Sequence, residues 1–127
     1  MPEQKEIHAI LGLPPDKRYE YAVKRIADFE SLWVICDVQG FRTYEDDNNN
    51  IIFPLWPFRD FAFLCCTGAF KSCQPEELQL EDFLKEYIPD FKNQGYKLSI
   101  LPLPSNIGAV IDIDLFQQDL KNELDKY

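Results

Sequence analysis

The chain has 127 residues, 46% of them hydrophobic and 14% aromatic, and 13 Lys+Arg against 22 Asp+Glu give a formal net charge of -9. This content is too apolar for a disordered acidic tail, and the length suits one α+β domain with one core. The acidic balance argues against nucleic acid or an anionic membrane as partner, since both need clustered Lys and Arg, and no apolar run is long enough for a transmembrane helix.

Met1 to Glu6 lacks the basic-then-apolar layout of a signal peptide, so the expected location is the cytoplasm. Residues 3–11 read as a short helix, stopped by Gly12 and Pro14-Pro15. Tyr19, Ala22, Val23, Ile26 and Phe29 recur at helical spacing and predict an amphipathic helix over about 15–30. Lys17, Arg18, Lys24 and Arg25 fall on its other face. Leu32 to Val38 is apolar and β-branched and reads as a strand. Gln39-Gly40 turns the chain into a second strand over 41–45. Asp46 to Asn50 is a turn, and Ile51 to Leu55 a third strand, which completes an antiparallel three-stranded meander.

Phe58, Phe61, Ala62 and Cys65 predict a short helix over about 58–66. Residues 69–79 read as irregular. Leu80, Phe83, Leu84, Tyr87, Ile88 and Phe91 form a strong helical stripe, with a kink or break expected before Pro89. Tyr96 to Leu101 and Gly108 to Ile113 read as strands of a second hairpin around a loop at 102–106. Asp114, with Gln117 three residues on, resembles a capping box. Phe116, Leu120, Leu124 and Tyr127 then mark a last helix. The whole, residues 1–127, is expected to be a single domain of about five helices packed on antiparallel strands.

Chemistry-bearing patterns are sparse. Cys36, Cys65, Cys66 and Cys73 show no Cys-x-x-Cys spacing, so buried reduced thiols are expected rather than zinc or disulfides. His8 is the single histidine, which removes His-pair metal sites and most mechanisms with a histidine base. Asp46, Asn48 and Asn50 have the opening spacing of an EF-hand loop, but Ile51 and Pro57 stand where Gly and Glu are needed. The five glycines form no phosphate-binding pattern. No cofactor, metal or catalytic residue is therefore expected.

The stretch Phe53 to Phe61 is rich in proline and aromatic residues. Most of its rings should be core. Trp56 and Arg59 stand out because both residue types are enriched at interface centres; the plainer role for Arg59 is a salt bridge to Asp60 or another carboxylate.

Arg18-Tyr19-Glu20-Tyr21, Ala27-Asp28-Phe29-Glu30 and Leu32-Trp33 resemble the start of a bacterial domain-of-unknown-function family, number 2750. The likeness continues through Pro54-Leu55-Trp56-Pro57, Arg59, Phe61-Ala62, Cys65, Thr67-Gly68, Leu80 to Leu84 and Ile88-Pro89, and covers about 14–127. Phe58 stands where the family is expected to carry a histidine. The resemblance implies a small bacterial domain of helix and strand. It implies no reaction.

The negative charge is uneven. Residues 74–94 hold six acidic and two basic side chains, and residues 112–127 five and two. The expected function is a non-enzymatic protein-binding domain, such as an immunity protein neutralising a basic toxin. Asp46, Asp47, Glu81, Asp82, Trp56 and Arg59 are the candidate contact residues. The alternatives are a small carboxylate-dependent enzyme using Asp60, Asp112 or Asp114, or a regulatory subunit of a homo-oligomer.

Overall fold

The computed structural model describes residues 2–105 and 108–126. Helices α1 (Gln4–Leu11) and α2 (Pro15–Phe29) come first. Pro15 opens α2 where its missing N–H has no partner in any case. Ala22, Val23 and Ile26 of the predicted stripe are buried, with Ala27 beside them. Two residues depart from it. Phe29 is exposed, because the helix ends there and the chain turns away. Arg18, expected on the solvent side, is buried.

Strand β1 (Ser31–Asp37) turns through Val38 and Gln39 into β2 (Gly40–Phe41). Gly40 has φ +119°, a geometry that favours glycine. The expected second strand is divided. β2 pairs antiparallel with β1, whereas β3 (Tyr44–Glu45) pairs antiparallel with β4 (Ile51–Leu55). The meander stands, with its middle strand shared between two sheets.

One sheet has the order β2-β1-β5, with β5 spanning Gln74–Gln79. The other has the order β3-β4-β6-β7, with β6 at Lys97–Ile100 and β7 at Ala109–Ile111. β6 and β7 form the expected antiparallel hairpin, and β6 also lies parallel to β4. β5 corrects the irregular reading of 69–79. It pairs with β1 from Ser31↔Gln79 to Cys36↔Gln74. Gln-Pro-Glu-Glu-Leu-Gln carries no apolar alternation, so only its backbone pairing makes it a strand. Its charges and proline are typical of a sheet edge.

Helix α3 spans Arg59–Leu64. The later helical segment opens as α4 (Leu80–Asp82), widens into a π turn (Phe83–Tyr87) and continues as α5 (Ile88–Gln94). The irregularity expected before Pro89 takes the form of this π turn, and the chain stays helical through it. Ile88 keeps φ -58° and ψ -44°, and its N–H reaches back to the Phe83 carbonyl. The wider turn relieves crowding between the Pro89 ring and the preceding carbonyls.

Helix α6 (Ile113–Leu124) has Asp112, not Asp114, at its N-cap position, where the Asp112 side chain makes no capping hydrogen bond among the described residues. Asp114 instead sits in the first turn and pairs with Lys92 at 2.9 Å. Asn106 of the predicted loop and Tyr127 of the predicted stripe lie outside the described residues.

One hydrophobic cluster joins helices and strands, with Trp56, Phe53, Phe61, Phe83 and Phe116 fully buried. Each such side chain contributes roughly 1.5–3 kcal/mol of burial. Among the described residues no helix is long and apolar enough to cross a membrane.

Candidate partner-binding surface

Trp56 is fully buried, which corrects its placement among the contact residues. Its indole Nε1 donates to the Pro102 carbonyl at 2.9 Å, so the polar end of the ring is satisfied inside the protein. Cys65 Sγ donates to the same oxygen at 3.2 Å. The neighbouring Leu101 has φ +54° and donates its N–H to Leu55 O at 2.8 Å. Arg18 Nε donates to Leu101 O at 3.3 Å and its Nη1 to Leu13 O at 2.7 Å. Burial pulls the Arg18 guanidinium below its usual pKa. Trp56 and Arg18 thus fasten the chain leaving β6.

Arg59 is exposed on α3 and lies 5.4 Å from the Phe63 ring centre. It forms a cation–π contact, and among the described residues it makes no salt bridge of the expected kind. Asp46 and Asp47 occupy the β3–β4 turn. Asp46 Oδ1 accepts the N–H groups of Asn48 and Asn50, both at 2.9 Å, and the Asn50 bonds foremost hold its pKa low. Asp46 therefore shapes a turn. Asp112 and Asp114 are exposed and pair with Lys97 and Lys92, while Asp60 lies in the first turn of α3.

His8 is exposed on α1. All four cysteines are free. Burial, with a hydrogen bond to Glu76, pushes Cys36 up to about 11, and burial pushes Cys65 up to about 12. These thiols stay protonated near neutrality and are poor nucleophiles. Among the described residues no group of three His, Cys, Asp or Glu could hold a metal ion.

The carboxylates gather elsewhere. A half-open groove of about 390 Å³ runs between α2 and α6 and is lined by Asp16, Glu20, Asp119 and Glu123, with Tyr19 among them. Tyr19 Oη donates to Asp119 Oδ2 at 2.5 Å. Burial and that bond raise the Tyr19 pKa, so the phenol stays a donor. Glu123 Oε1 meets Lys126 Nζ at 3.2 Å, and its buried Oε2 has no hydrogen-bond partner among the described residues.

Further along, Ala27, Asp28, Glu30 and Leu124 line a second depression. Glu30, Gln79, Glu81 and Asp82 line a third, of about 330 Å³. Glu30 belongs to both, and Leu124 follows Glu123. Acidic side chains thus line a band of three depressions, with Asp119 and Glu123 of α6 in the first and Glu81 and Asp82 of α4 in the third. Exposed pairs within it, such as Lys17–Glu20 and Lys85–Glu81, contribute little and can be exchanged for a partner's charges.

Glu30 joins the second and third of these depressions. It follows α2 with φ +51° and ψ +37°, a left-handed conformation that costs a residue other than glycine roughly 1–2 kcal/mol. No basic residue occupies the last turn of α2, so the Glu30 charge adds to the negative end of the helix. Its carbonyl accepts the Leu80 N–H at 2.9 Å, which brings Glu81 and Asp82 alongside. Of the candidate residues, only Glu81 and Asp82 meet here. Sequence periodicity missed Glu30 and placed Phe29 in the core; the signal available was a Glu where a helix-ending glycine is usual.

The sequence model of the family described as "Protein of unknown function (DUF2750)" matches residues 19–120. The chain belongs to the DUF2750 family. This DUF2750 chain matches no curated protein and no solved structure. The family match spans most of α2, both sheets and most of α6, and so includes most of the acidic band.

Proposed function

We propose that the chain is a non-enzymatic, cytoplasmic protein-binding domain whose acidic band covers a basic partner. Neutralisation of a basic toxin, as an immunity protein does, is the form that fits best. The observation that carries the reading is the acidic lining of three depressions, with Asp119 and Glu123 in the α2–α6 groove and Glu30 joining the other two beside Glu81 and Asp82. A band of one sign steers an oppositely charged protein and selects against acidic competitors. Four free cysteines suit a reducing compartment.

Selection from a random displayed-peptide library tests this. Enriched peptides should be rich in Lys and Arg and should lose affinity as salt rises. Enrichment without regard to charge contradicts the reading.

A further inference from the structure

We infer that the outer edge of β5 takes up an extended, Lys- or Arg-bearing segment of the partner as an added strand. The inference rests on the reading of the chain as a binder of a basic protein, and adds where and how that protein docks.

β5 closes one side of the sheet β2-β1-β5. The direction of its main-chain groups follows from β1. Trp33 uses its N–H and C=O on Trp56, and the Ile35 carbonyl accepts the Arg42 N–H. Both residues therefore turn away from β5. They sit opposite Glu77 and Pro75, whose main-chain groups then point away from β1, to the free edge. Gln79, opposite Ser31, repeats the pattern. Pro75 agrees with it, since a strand tolerates proline where the missing N–H would face solvent. Glu77 and Gln79 are exposed, and their N–H groups have no hydrogen-bond partner among the described residues. With the carbonyls of Pro75 and Glu77, they form a template for one more strand.

Charge decides the occupant. Glu76 and Glu77 project to opposite faces of the sheet, so the edge is acidic on both. A second copy pairing edge to edge would crowd the glutamates of both strands together, and like charges across a strand pair are destabilising. Neighbouring Lys or Arg side chains on an added strand would meet Glu76 and Glu77 instead. Gln79 also lines the depression of Glu30, Glu81 and Asp82, so that strand ends beside further carboxylates.

The test uses the basic peptide enriched most strongly by the unaltered chain as probe, with calorimetric titration and thermal unfolding. Gln79 has φ -70° and ψ 138°, which proline adopts without strain, and its N–H is not used by β1. Gln79→Pro should therefore keep the parent Tm yet bind more than about tenfold more weakly, with no change of charge. Gln79→Ala retains the N–H and should stay within about twofold of the parent. Hydrogen exchange on the parent chain reads the same contact without a variant. Exchange of the Glu77 and Gln79 amides should slow by more than about tenfold when the peptide binds. Amides that stay unprotected, or a folded Gln79→Pro that binds like the parent, overturn the added strand and leave the basic-partner reading standing. If no basic peptide enriches, both fall.

Discussion

Trp33 and Trp56 exchange both of their main-chain hydrogen bonds, at 2.7 and 2.9 Å. This isolated antiparallel bridge joins the two sheets where β2 is too short to cover the edge of β1. The same Trp56 holds Pro102 through its side chain, so one residue links β1, β4 and the chain leaving β6. Trp56→Phe keeps the main-chain bridge but strips the Pro102 carbonyl of its indole donor. It should cost about 1–3 kcal/mol in urea unfolding.

Arg18 gives a sharper contrast. Arg18→Ala removes two charge-assisted bonds to carbonyls and should cost about 3 kcal/mol. Arg18→Lys should recover little, because one ammonium cannot reproduce a guanidinium fork that reaches Leu13 and Leu101 together.

Glycine substitutions should divide by backbone geometry. At Gly108, with φ +81°, a Cβ would lie 2.9 Å from the Ile100 carbonyl oxygen. Gly108→Ala should therefore destabilise by about 1–3 kcal/mol. Gly12 has φ -86° and only ordinary contacts, so Gly12→Ala should be neutral or stabilise by about 0.4–1 kcal/mol. Thermal unfolding of the pair checks the contrast.

Alkaline pH should lower the stability of the protein in stages. Cys36 is held at about 11 and Cys65 at about 12, both above the ordinary thiol value of 9.0. The unfolded chain therefore loses these protons first. Their stabilisation is complete below about pH 9 and is lost as pH rises through the folded values. Tyr19, Tyr21 and Tyr44 are also raised, chiefly by burial, and extend the loss above about pH 10. Tyr19→Phe should flatten the upper part of a plot of Tm against pH.

The helices were legible because burial of one face imposes a 3.6-residue period on α2 and on the 80–94 segment. Strand β5 was not, because its six residues join the sheet through backbone bonds while most of their side chains face solvent. The parallel pairing of β4 with β6 depends on residues more than forty positions apart, such as Phe53 and Leu98, which no local pattern encodes. Trp56 drew attention as an interface residue for the amphipathic ring that here serves the interior. At the candidate surface, Glu81 and Asp82 were visible as charges. Glu30 was not, because its distinction is a backbone conformation and a position between two helices.

The central claim is that the band around Glu30 receives a basic partner. The most direct measurement is calorimetric titration of a display-enriched basic peptide into the parent chain and into a Glu30→Lys, Asp82→Lys double variant. The account predicts that the double variant stays folded by circular dichroism and binds more than about tenfold more weakly. Equal affinity for parent and variant would contradict it.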